Sequence, residues 1–388
     1  MRDLPCRRRV RPLPTCNATP WERKRDGTHP TRVRQTTPRP PATPFRWPVQ
    51  AARILCAALC VLMLAPLPAR AQDPGRMTLT EENDAIITRD DRHYTQGALL
   101  SYLSPQLSAD SAWSRSFDAL AVVLPMFTSQ AQTQRRFEWQ IFGQSQFTPD
   151  DLKAVPPDPH DRPYAAWLYT GFDWLQENDG HSLHSLEVQA GVVGPAALGR
   201  QIQDGFHTVF GFNSADGWDS QLGNRGAFQF SYSYHRRLAL GRDDGYGFDA
   251  VPEFGLSLGT VLRYAEAGAL LRFGNALGAD YGPERIRPSL SGTAFIDARR
   301  ATHRYLDFTL FVGAQTRRVF YNRFIDGSRE VAPPGLERRP YVSDLVAGGT
   351  VWLSQRLRAD FTATRRSREY DGQPAADVFG AASLSLAI

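Results

Sequence analysis

The sequence predicts an all-β fold, an antiparallel transmembrane β-barrel of about twelve strands with short loop helices. Three observations support this prediction. A short apolar segment of the export type lies near the N-terminus, apolar and polar residues alternate along segments of about ten residues, and Phe and Tyr recur on the apolar positions. A soluble β-sandwich also alternates, but its apolar face packs on a protein core. The aromatic rows, together with the export signal, favour apolar residues that face lipid.

The N-terminal region is interpreted as a basic extension followed by a signal peptide. The apolar run at residues 54–65 is shorter than the roughly 20 residues that span a bilayer. A basic residue precedes the run and an Ala-Arg-Ala sequence ends at Ala71, as in a secretory cleavage site. An uncleaved inner-membrane helix is the alternative, but Pro66 and Pro68 favour cleavage. We predict Sec-type export, removal of residues 1–71, and one barrel domain at residues 72–388.

Removal of this region changes the charge of the protein. The whole chain has a net charge of +5, but residues 1–71 hold 14 of the 45 Lys and Arg residues and 3 of the 40 Asp and Glu residues. The remaining 317 residues carry 31 basic and 37 acidic side chains, a net charge of about −6. All four cysteines also lie in the removed region. The mature chain therefore predicts no nucleic-acid partner, no disulfide and no cysteine metal site.

Period-2 alternation defines the predicted strands. In one example the apolar Leu186, Val188 and Ala190 alternate with the polar Glu187 and Gln189. Twelve segments follow this pattern: 77–87, 94–104, 136–147, 163–176, 182–193, 226–238, 246–258, 259–273, 303–322, 341–353, 355–368 and 376–388. The last segment is expected to pair with the first and close the barrel.

Three further segments depart from this regular series. Residues 288–298 form a possible additional short strand. Residues 112–126 are predicted to be helical or irregular, and residues 197–211 place apolar side chains at helical spacing. Within the second helix Gln203 and His207 are four residues apart, so they share a face that differs from the centre of the apolar face.

The chemistry of the mature chain rests on a few polar residues, because the H-E-x-x-H and P-loop motifs are absent. Asn83 and Asp84 precede Thr95, and His207 follows more than a hundred residues later. Histidine can act as a base near neutral pH, and calcium, bound through Asp and Asn oxygens, can stabilise an oxyanion. Each residue also has a structural interpretation: a solvated turn for Asn83-Asp84, a lumen hydroxyl for Thr95, and an ordinary loop residue for His207.

Consecutive residues of a strand point to opposite faces, which matters for Asn83 and Asp84. If both serve one site, a bulge or strand end is required there, and we predict one. Asp161 and Arg162 form a possible buried pair near the site, although a structural role at the start of the fourth strand is the favoured interpretation.

A series of short motifs runs along the chain in a single order. They are Glu82-Asn83-Asp84, Asp91-Arg92-His93-Tyr94-Thr95-Gln96-Gly97, Gly143-Gln144, Phe147-Thr148-Pro149, Asp161-Arg162-Pro163-Tyr164-Ala165-Ala166-Trp167, Gly191-Val192-Val193-Gly194-Pro195, Gly199-Arg200-Gln201-Ile202-Gln203 with His207, and Gly217-Trp218-Asp219. Together they resemble the outer-membrane lipid A 3′-O-deacylases, and they cover most of the mature chain.

This resemblance implies a twelve-stranded barrel with a site between the outer wall and a helix of an extracellular loop, and calcium at the oxyanion hole. His207 matches the histidine that activates water, and Asn83, Asp84 and Thr95 match the polar residues of the first two strands, with Asn83 and Asp84 as calcium ligands. Substrate contacts are expected from three further residues: Lys153, Gln203 and Asn213. Asn213 stands where the family has an acid, and Lys153 aligns loosely with a family lysine.

The leading hypothesis from the sequence is a calcium-dependent carboxylic ester hydrolase that removes an acyl chain from lipid A. Its partners would be lipopolysaccharide, outer-membrane lipids and, during biogenesis, the barrel assembly machinery, in the outer membrane of a Gram-negative bacterium. Two alternatives remain: an outer-membrane phospholipase that uses Ser and His, and a non-enzymatic barrel or pore.

Overall fold

The computed structural model describes residues 73–87, 93–210, 215–243, 245–288, 293–301 and 306–388. The predicted signal peptide and Asn213 lie outside the described residues, so the cleavage of the one and the substrate contact of the other remain predictions. Strands dominate the described part of the chain. They are β1 Arg76–Asn83, β2 His93–Leu103, β3 Gln134–Thr148, β4 Ala165–Asn178, β5 Ser182–Val193, β6 Arg225–Arg236, β7 Leu238–Asp243, β8 Tyr246–Gly259, β9 Leu262–Gly274, β10 Asp307–Asn322, β11 Tyr341–Trp352, β12 Leu357–Arg366 and β13 Asp377–Ala387.

Twelve of these strands form a closed antiparallel ring. Each of β1 to β5 pairs with the next strand, β6 pairs with β8, the series continues to β13, and β13 pairs with β1. The short β7 pairs with β8 alone and lies outside the ring. The predicted twelve-stranded barrel and the closing pair of first and last strands are therefore confirmed. We call the end at which β1 ends and β2 begins the upper end, and the opposite end the lower end.

The alternation seen in the sequence separates the two faces of the wall. Phe228 and Phe230 on β6 are about half exposed, whereas Gln229 and Ser231 between them are buried in the lumen. Leu310 and Val312 on β10 show the same outward exposure. The outer surface is thus the apolar band of a membrane barrel, and the inner surface is polar.

The lumen is filled by the long connection between β9 and β10, described at residues 275–288 and 293–301. One short stretch of it reaches side chains on four strands: Tyr281 contacts Glu177 on β4, Glu284 contacts Ser101 on β2, Arg285 contacts Glu82 on β1, and Arg287 contacts Glu187 on β5. The additional strand considered at residues 288–298 is wrong for the described part. There the backbone makes a single isolated bridge, between Asp280 and Ile296, because this segment packs inside the barrel instead of joining the sheet.

Several charged groups inside the lumen form ion pairs. Arg272 contacts Asp249 and Asp280 at 2.6 and 2.8 Å, and both partners are buried. Arg317 and Arg366 share the carboxylate of Asp344 at 3.0 Å each. Because an unpaired charge in such surroundings is strongly unfavourable, these pairs fix which residues face inward on each strand.

Four α-helices lie within the described ranges: α1 Ala112–Ala121, α2 Gly199–Phe210, α3 Arg323–Asp326 and α4 Ser328–Val331. The first two confirm the helical interpretation of residues 112–126 and 197–211. Helix α1 begins at the N-cap Ser111 and lies at the lower end, where Trp113 stacks on the outward-facing Phe172 at 5.0 Å. Among the described residues, every helix is too short or too polar to cross a bilayer.

The pair formed by Arg285 and Glu82 gives a test of the filled lumen. The Glu82 carboxylate also accepts hydrogen bonds from Tyr94 (3.0 Å) and from the backbone of Ile286 (3.1 Å). Replacing Arg285 by Met leaves this carboxylate buried without its cation, so the free energy of unfolding should fall by about 3–5 kcal/mol. Urea unfolding in detergent, followed by tryptophan fluorescence, measures the change.

Two further variants complete this test. Arg339→Met removes an arginine whose pair with Asp371 is exposed, and it should cost no more than about 1 kcal/mol. The double variant Arg285→Met, Glu82→Leu removes both buried charges and should be more stable than Arg285→Met alone. A barrel that tolerates Arg285→Met as well as it tolerates Arg339→Met would contradict a lumen held by this pair.

Candidate active site

A polar patch lies on the outer face of the wall at the upper end of β1, β2 and β3. Gln144 donates to the carbonyl of Ala197, which precedes α2, at 2.6 Å, so its side chain leaves the barrel outward. Gln146 donates to Gln144 at 2.7 Å, and Thr148 follows on the same face. These three side chains are almost fully buried although they face away from the lumen. Outward polar groups on a membrane barrel are stable only where protein covers them.

A bulge brings Thr95 into this patch. The register of β2 against β3 shifts between Tyr94 and Gln96, so Thr95 is the extra residue. Its hydroxyl lies 2.6 Å from that of Thr148. Tyr94, not Thr95, points into the lumen, where it donates to Glu82. The structural interpretation of Thr95 as a lumen hydroxyl, based on strict alternation, is therefore wrong.

Asn83 and Asp84 lie at the upper end of β1. Strand β1 ends at Asn83, and Asp84 begins a short 3-10 turn that runs to Ile86. The predicted strand end is thus present, and both side chains are buried. Glu82, one residue earlier, faces the lumen, which places Asn83 on the opposite side of the wall. The neighbouring pair of Glu81 and Gln96, 2.9 Å apart, extends the polar patch between β1 and β2.

Helix α2 covers the wall with an unusual face. Gly199, Gln203 and His207, spaced four residues apart, are buried, while Leu198 is 45% exposed and Ile202 and Phe206 are half-buried. The predicted common face of Gln203 and His207 is confirmed, and it is this polar face that turns toward the protein. An amphipathic helix packed on an ordinary core would bury its apolar face instead.

Close packing holds α2 on the outer face of β4 and β5. A Cβ atom at Gly199 would lie 2.5 Å from the ring of Trp218 and 2.6 Å from Ala166 on β4, so only glycine permits this approach. The Trp218 indole donates to Gln203 at 2.6 Å. Tyr164, Ala166, Ala197 and Trp218 form a small hydrophobic cluster beneath the start of the helix. The same cluster fixes Gln203, and therefore the helix face that carries His207.

Three other residues named in the sequence analysis lie at the edge of this region. Lys153 is about half exposed on the connection between β3 and β4, and its ammonium lies 3.5 Å from Asp216, just after the α2 loop. Arg162 is fully buried and pairs with Glu369 at 2.6 Å, while Asp161 contacts His93 and Tyr370. The structural role favoured for Asp161 and Arg162 is confirmed in the sense that each joins the β3–β4 connection to the loop before β13.

A buried histidine network next to the patch was not predicted. His93, the first residue of β2, has Nδ1 at 2.6 Å from Asp377, and its Nε2 faces Tyr370 at 3.1 Å and Asp161 at 3.4 Å. Tyr370 also donates to Asp161. Because these partners lie up to 284 residues away in sequence, no local pattern could reveal the network.

The donor groups of the wall patch suit a hard cation. Asp84 supplies a buried carboxylate, Asn83 an amide oxygen, and Thr95 and Thr148 hydroxyl oxygens, which are the ligand types that calcium takes. Within the described part of the chain, no three His, Asp or Glu side chains gather around one point. A calcium ion here would therefore depend on neutral oxygens and water in addition to one or two carboxylates.

Together, the fold and the site define a membrane β-barrel whose candidate active site lies on the outer wall beneath a loop helix. The family model described as outer membrane protein LpxR matches residues 55–388, and the chain belongs to this family. The family resemblance drawn from the motifs is thereby confirmed. A comparison with curated proteins finds no match.

Solved structures with a similar fold include LpxR from Salmonella typhimurium, which has a TM-score of 0.62 at 18% identity and covers 81% of this chain and 100% of that chain. The beta domain of the Bordetella autotransporter BrkA has a TM-score of 0.38 at 10% identity, covering 81% of this chain and 98% of its own. The transport unit of the autotransporter AIDA-I from Escherichia coli has a TM-score of 0.33 at 8% identity, covering 88% and 99%.

The Asp161 carboxylate gives a pH-dependent test of the histidine network. Burial alone would raise its pKa, but hydrogen bonds from His93, Tyr370 and the backbone of Asp150 outweigh this and hold the pKa well below its usual range. A lowered folded-state pKa stabilises the protein above the unfolded value of about 4, and this stabilisation is lost as the pH falls below it. Asp161→Asn should therefore reduce the free energy of unfolding by about 1–3 kcal/mol at pH 7 and by less at pH 3.

Trypsin cleavage after Lys153 provides a second readout of the same variant at pH 7. Loss of the Asp161 contacts should speed cleavage, because the β3–β4 connection is then held less firmly. Asp158→Asn is the matched control, since Asp158 accepts a hydrogen bond within its own loop, from the backbone of His160. Equal cleavage rates in the two variants would argue against a network that fixes this connection.

Proposed function

We propose that the chain is a calcium-dependent hydrolase that removes an ester-linked acyl chain from lipid A in the outer leaflet of a Gram-negative outer membrane. The observation that carries the proposal is the orientation of α2. The helix buries Gln203 and His207 on its protein-facing side, while Ile202 and Phe206 next to them are half-buried and Leu198, just before the helix, is 45% exposed. In the proposed complex the polar pair faces the reaction, and these apolar side chains border the acyl chain.

His207 is proposed as the base that activates water. It is 6% exposed, lies on the buried face of α2, and is held in line with Gln203, whose amide oxygen accepts from Trp218. A neutral imidazole would accept the proton of the attacking water and return it to the leaving sugar hydroxyl. Thr95 and Thr148, whose hydroxyls are adjacent on the wall, are proposed to orient water or substrate oxygens.

Asn83 and Asp84 are proposed to hold calcium through their side-chain oxygens. When bound, the ion would supply the positive charge that stabilises the oxyanion of the ester carbonyl. Lys153, Gln203 and Asn213 are proposed as substrate contacts. Lys153 is suited to this role because its ammonium is about half exposed beside the α2 loop, where a phosphate could approach.

The two alternative functions fit the described residues less well. A pore requires an open lumen, whereas residues 280–287 cross the barrel and contact β1, β2, β4 and β5. A serine-based phospholipase requires a serine near His207, and none of the wall-patch residues described above is serine. Labelling by a fluorophosphonate would support the serine-based phospholipase. Ion conductance in planar bilayers would support the pore. Insertion by the barrel assembly machinery and prior Sec-type export are part of the proposal.

His207→Gln tests the catalytic base. The rate of acyl release from lipid A should fall by about 10²–10⁴-fold, because glutamine cannot take up the proton. Mass spectrometry of lipid A from cells that express each variant measures the product. His160→Gln, in the exposed β3–β4 connection, is the matched control and should keep wild-type activity. Identical lipid A profiles for wild type and His207→Gln would refute the proposed base.

Metal removal tests the proposed calcium site. EGTA should abolish acyl release, and added calcium should restore it. Added Mg²⁺ should not, because it demands a stricter octahedral geometry and dehydrates reluctantly. Asp84→Asn removes the buried carboxylate and should weaken calcium binding at least about tenfold, measured directly by titration calorimetry. His207→Gln should retain calcium binding although it loses activity. Full activity in EGTA, or unchanged calcium affinity in Asp84→Asn, would exclude this site.

A further inference from the structure

The outer wall away from the candidate active site carries an unusual charge pattern. The patch described above spans β1 to β3, and around the ring β10 is six strands from β3 and four strands from β1. Along β9 to β12 the outward positions are almost entirely apolar. The charged exceptions among these described outward positions are Arg263, Arg318 and Arg365, and no outward carboxylate accompanies them.

All three arginines lie toward the upper end of their strands. Arg263 is the second residue of β9, Arg365 is the second-last of β12, and Arg318 lies four residues before the end of β10. At the lower end the outward residues of the same strands are apolar, for example Phe273, Phe308 and Leu357. A cation on the lipid face costs about 2–4 kcal/mol at the bilayer midplane and little at the interface. The arginines therefore mark an interface, and they mark one leaflet only.

Aromatic rings support the arginine side chains. The guanidinium of Arg263 lies 5.1 Å from the ring centre of Tyr321, and that of Arg318 lies 5.4 Å from Phe320 and 5.9 Å from Tyr341. Stacking of this kind orients the planar guanidinium and leaves its N–H edge directed along the surface. Two carboxylates of the adjoining loop pair with other arginines, since Asp326 pairs with Arg338 and Glu330 with Arg323, and the third, Glu337, is exposed.

We propose that this basic-aromatic wall, formed by Arg263, Arg318 and Arg365 with the rings of Phe320, Tyr321 and Tyr341, binds the phosphate groups of a phosphorylated glycolipid of the outer leaflet. Arginine recognises phosphate by paired hydrogen bonds. From β9 to β12 there are three strand spacings of about 4.8 Å each, about 14 Å in total. A disaccharide headgroup with a phosphate at each end matches such a span better than a single phosphodiester does.

The bound lipid would be retained and not hydrolysed, because the wall has no nucleophile or base among the named residues. It would fix the height of the barrel in the outer leaflet on the side away from α2. The inference goes beyond the proposed hydrolysis and shares with it only the orientation of the upper end toward the cell exterior.

Native mass spectrometry of the full barrel tests the proposal, with His207→Gln present in every sample so that lipid is not consumed. The probes are lipid A with two phosphates, lipid A with one phosphate, and phosphatidylglycerol. The triple variant Arg263→Gln, Arg318→Gln, Arg365→Gln should lose one bound molecule of bisphosphorylated lipid A, with affinity at this wall weaker by at least about tenfold. The lipid A affinity of the triple Lys variant should lie between those of the unchanged wall and the triple Gln variant, because lysine keeps the charge and loses the paired hydrogen bonds.

Arg236→Gln is the matched control, since Arg236 is exposed at the lower end of β6. It should leave lipid binding unchanged, and heat-dependent gel mobility verifies the fold of each variant. Unchanged lipid A binding in the triple Gln variant would overturn the proposal, as would an equal loss of phosphatidylglycerol, which would indicate general attraction of anionic lipid. A failure of the hydrolase proposal is distinguishable, because binding at this wall is measured without turnover.

Discussion

The arrangement of this barrel depends on the ion pair between Glu82 and Arg285 in the lumen. Glu82 also accepts from Tyr94, so one buried carboxylate joins the upper ends of β1 and β2 to the segment that fills the barrel. The residues that follow Glu82 and Tyr94 in sequence are Asn83 and Thr95, and strand geometry turns both outward. The inward residues thus hold the strands, and their direct neighbours form the wall of the candidate active site.

The filled, polar lumen explains why the candidate active site lies on the outer wall. An acyl chain gains nothing from a lumen lined by paired Arg, Asp and Glu, because its transfer there from the bilayer would displace charge-assisted contacts. The proposed lipid substrate would therefore meet the protein on its outer surface, where polar groups are tolerated only under a cover. Helix α2 lies on this surface, and it is the polar pair Gln203 and His207 that it buries.

Most of the fold was accessible from sequence, because alternation with period 2 is imposed on every strand by the contrast between lipid and lumen. Each of the twelve predicted segments corresponds to a strand of the ring, with ends that differ by a few residues. The strand considered at 288–298 failed because a buried lumen segment has apolar residues without a sheet partner. The bulge at Thr95 was likewise hidden, since a single inserted residue leaves composition unchanged while it reverses the face of its side chain.

The site was predictable only in part, for a related reason. His207 and Gln203 could be placed on one helical face from their spacing, whereas Gln144, Gln146 and Thr148 look like ordinary inward polar residues until the bulge in β3 between Gln140 and Gly143 is known. That bulge reverses the parity of the upper part of β3, so its polar side chains leave the lumen, and Gln144 donates to the carbonyl of Ala197 just before α2. Two bulges on neighbouring strands, β2 and β3, therefore convert a lipid-facing surface into a polar one at a single position on the ring. Regular alternation thus gives the barrel its two faces, and the bulges on β2 and β3 produce the polar patch of the candidate active site.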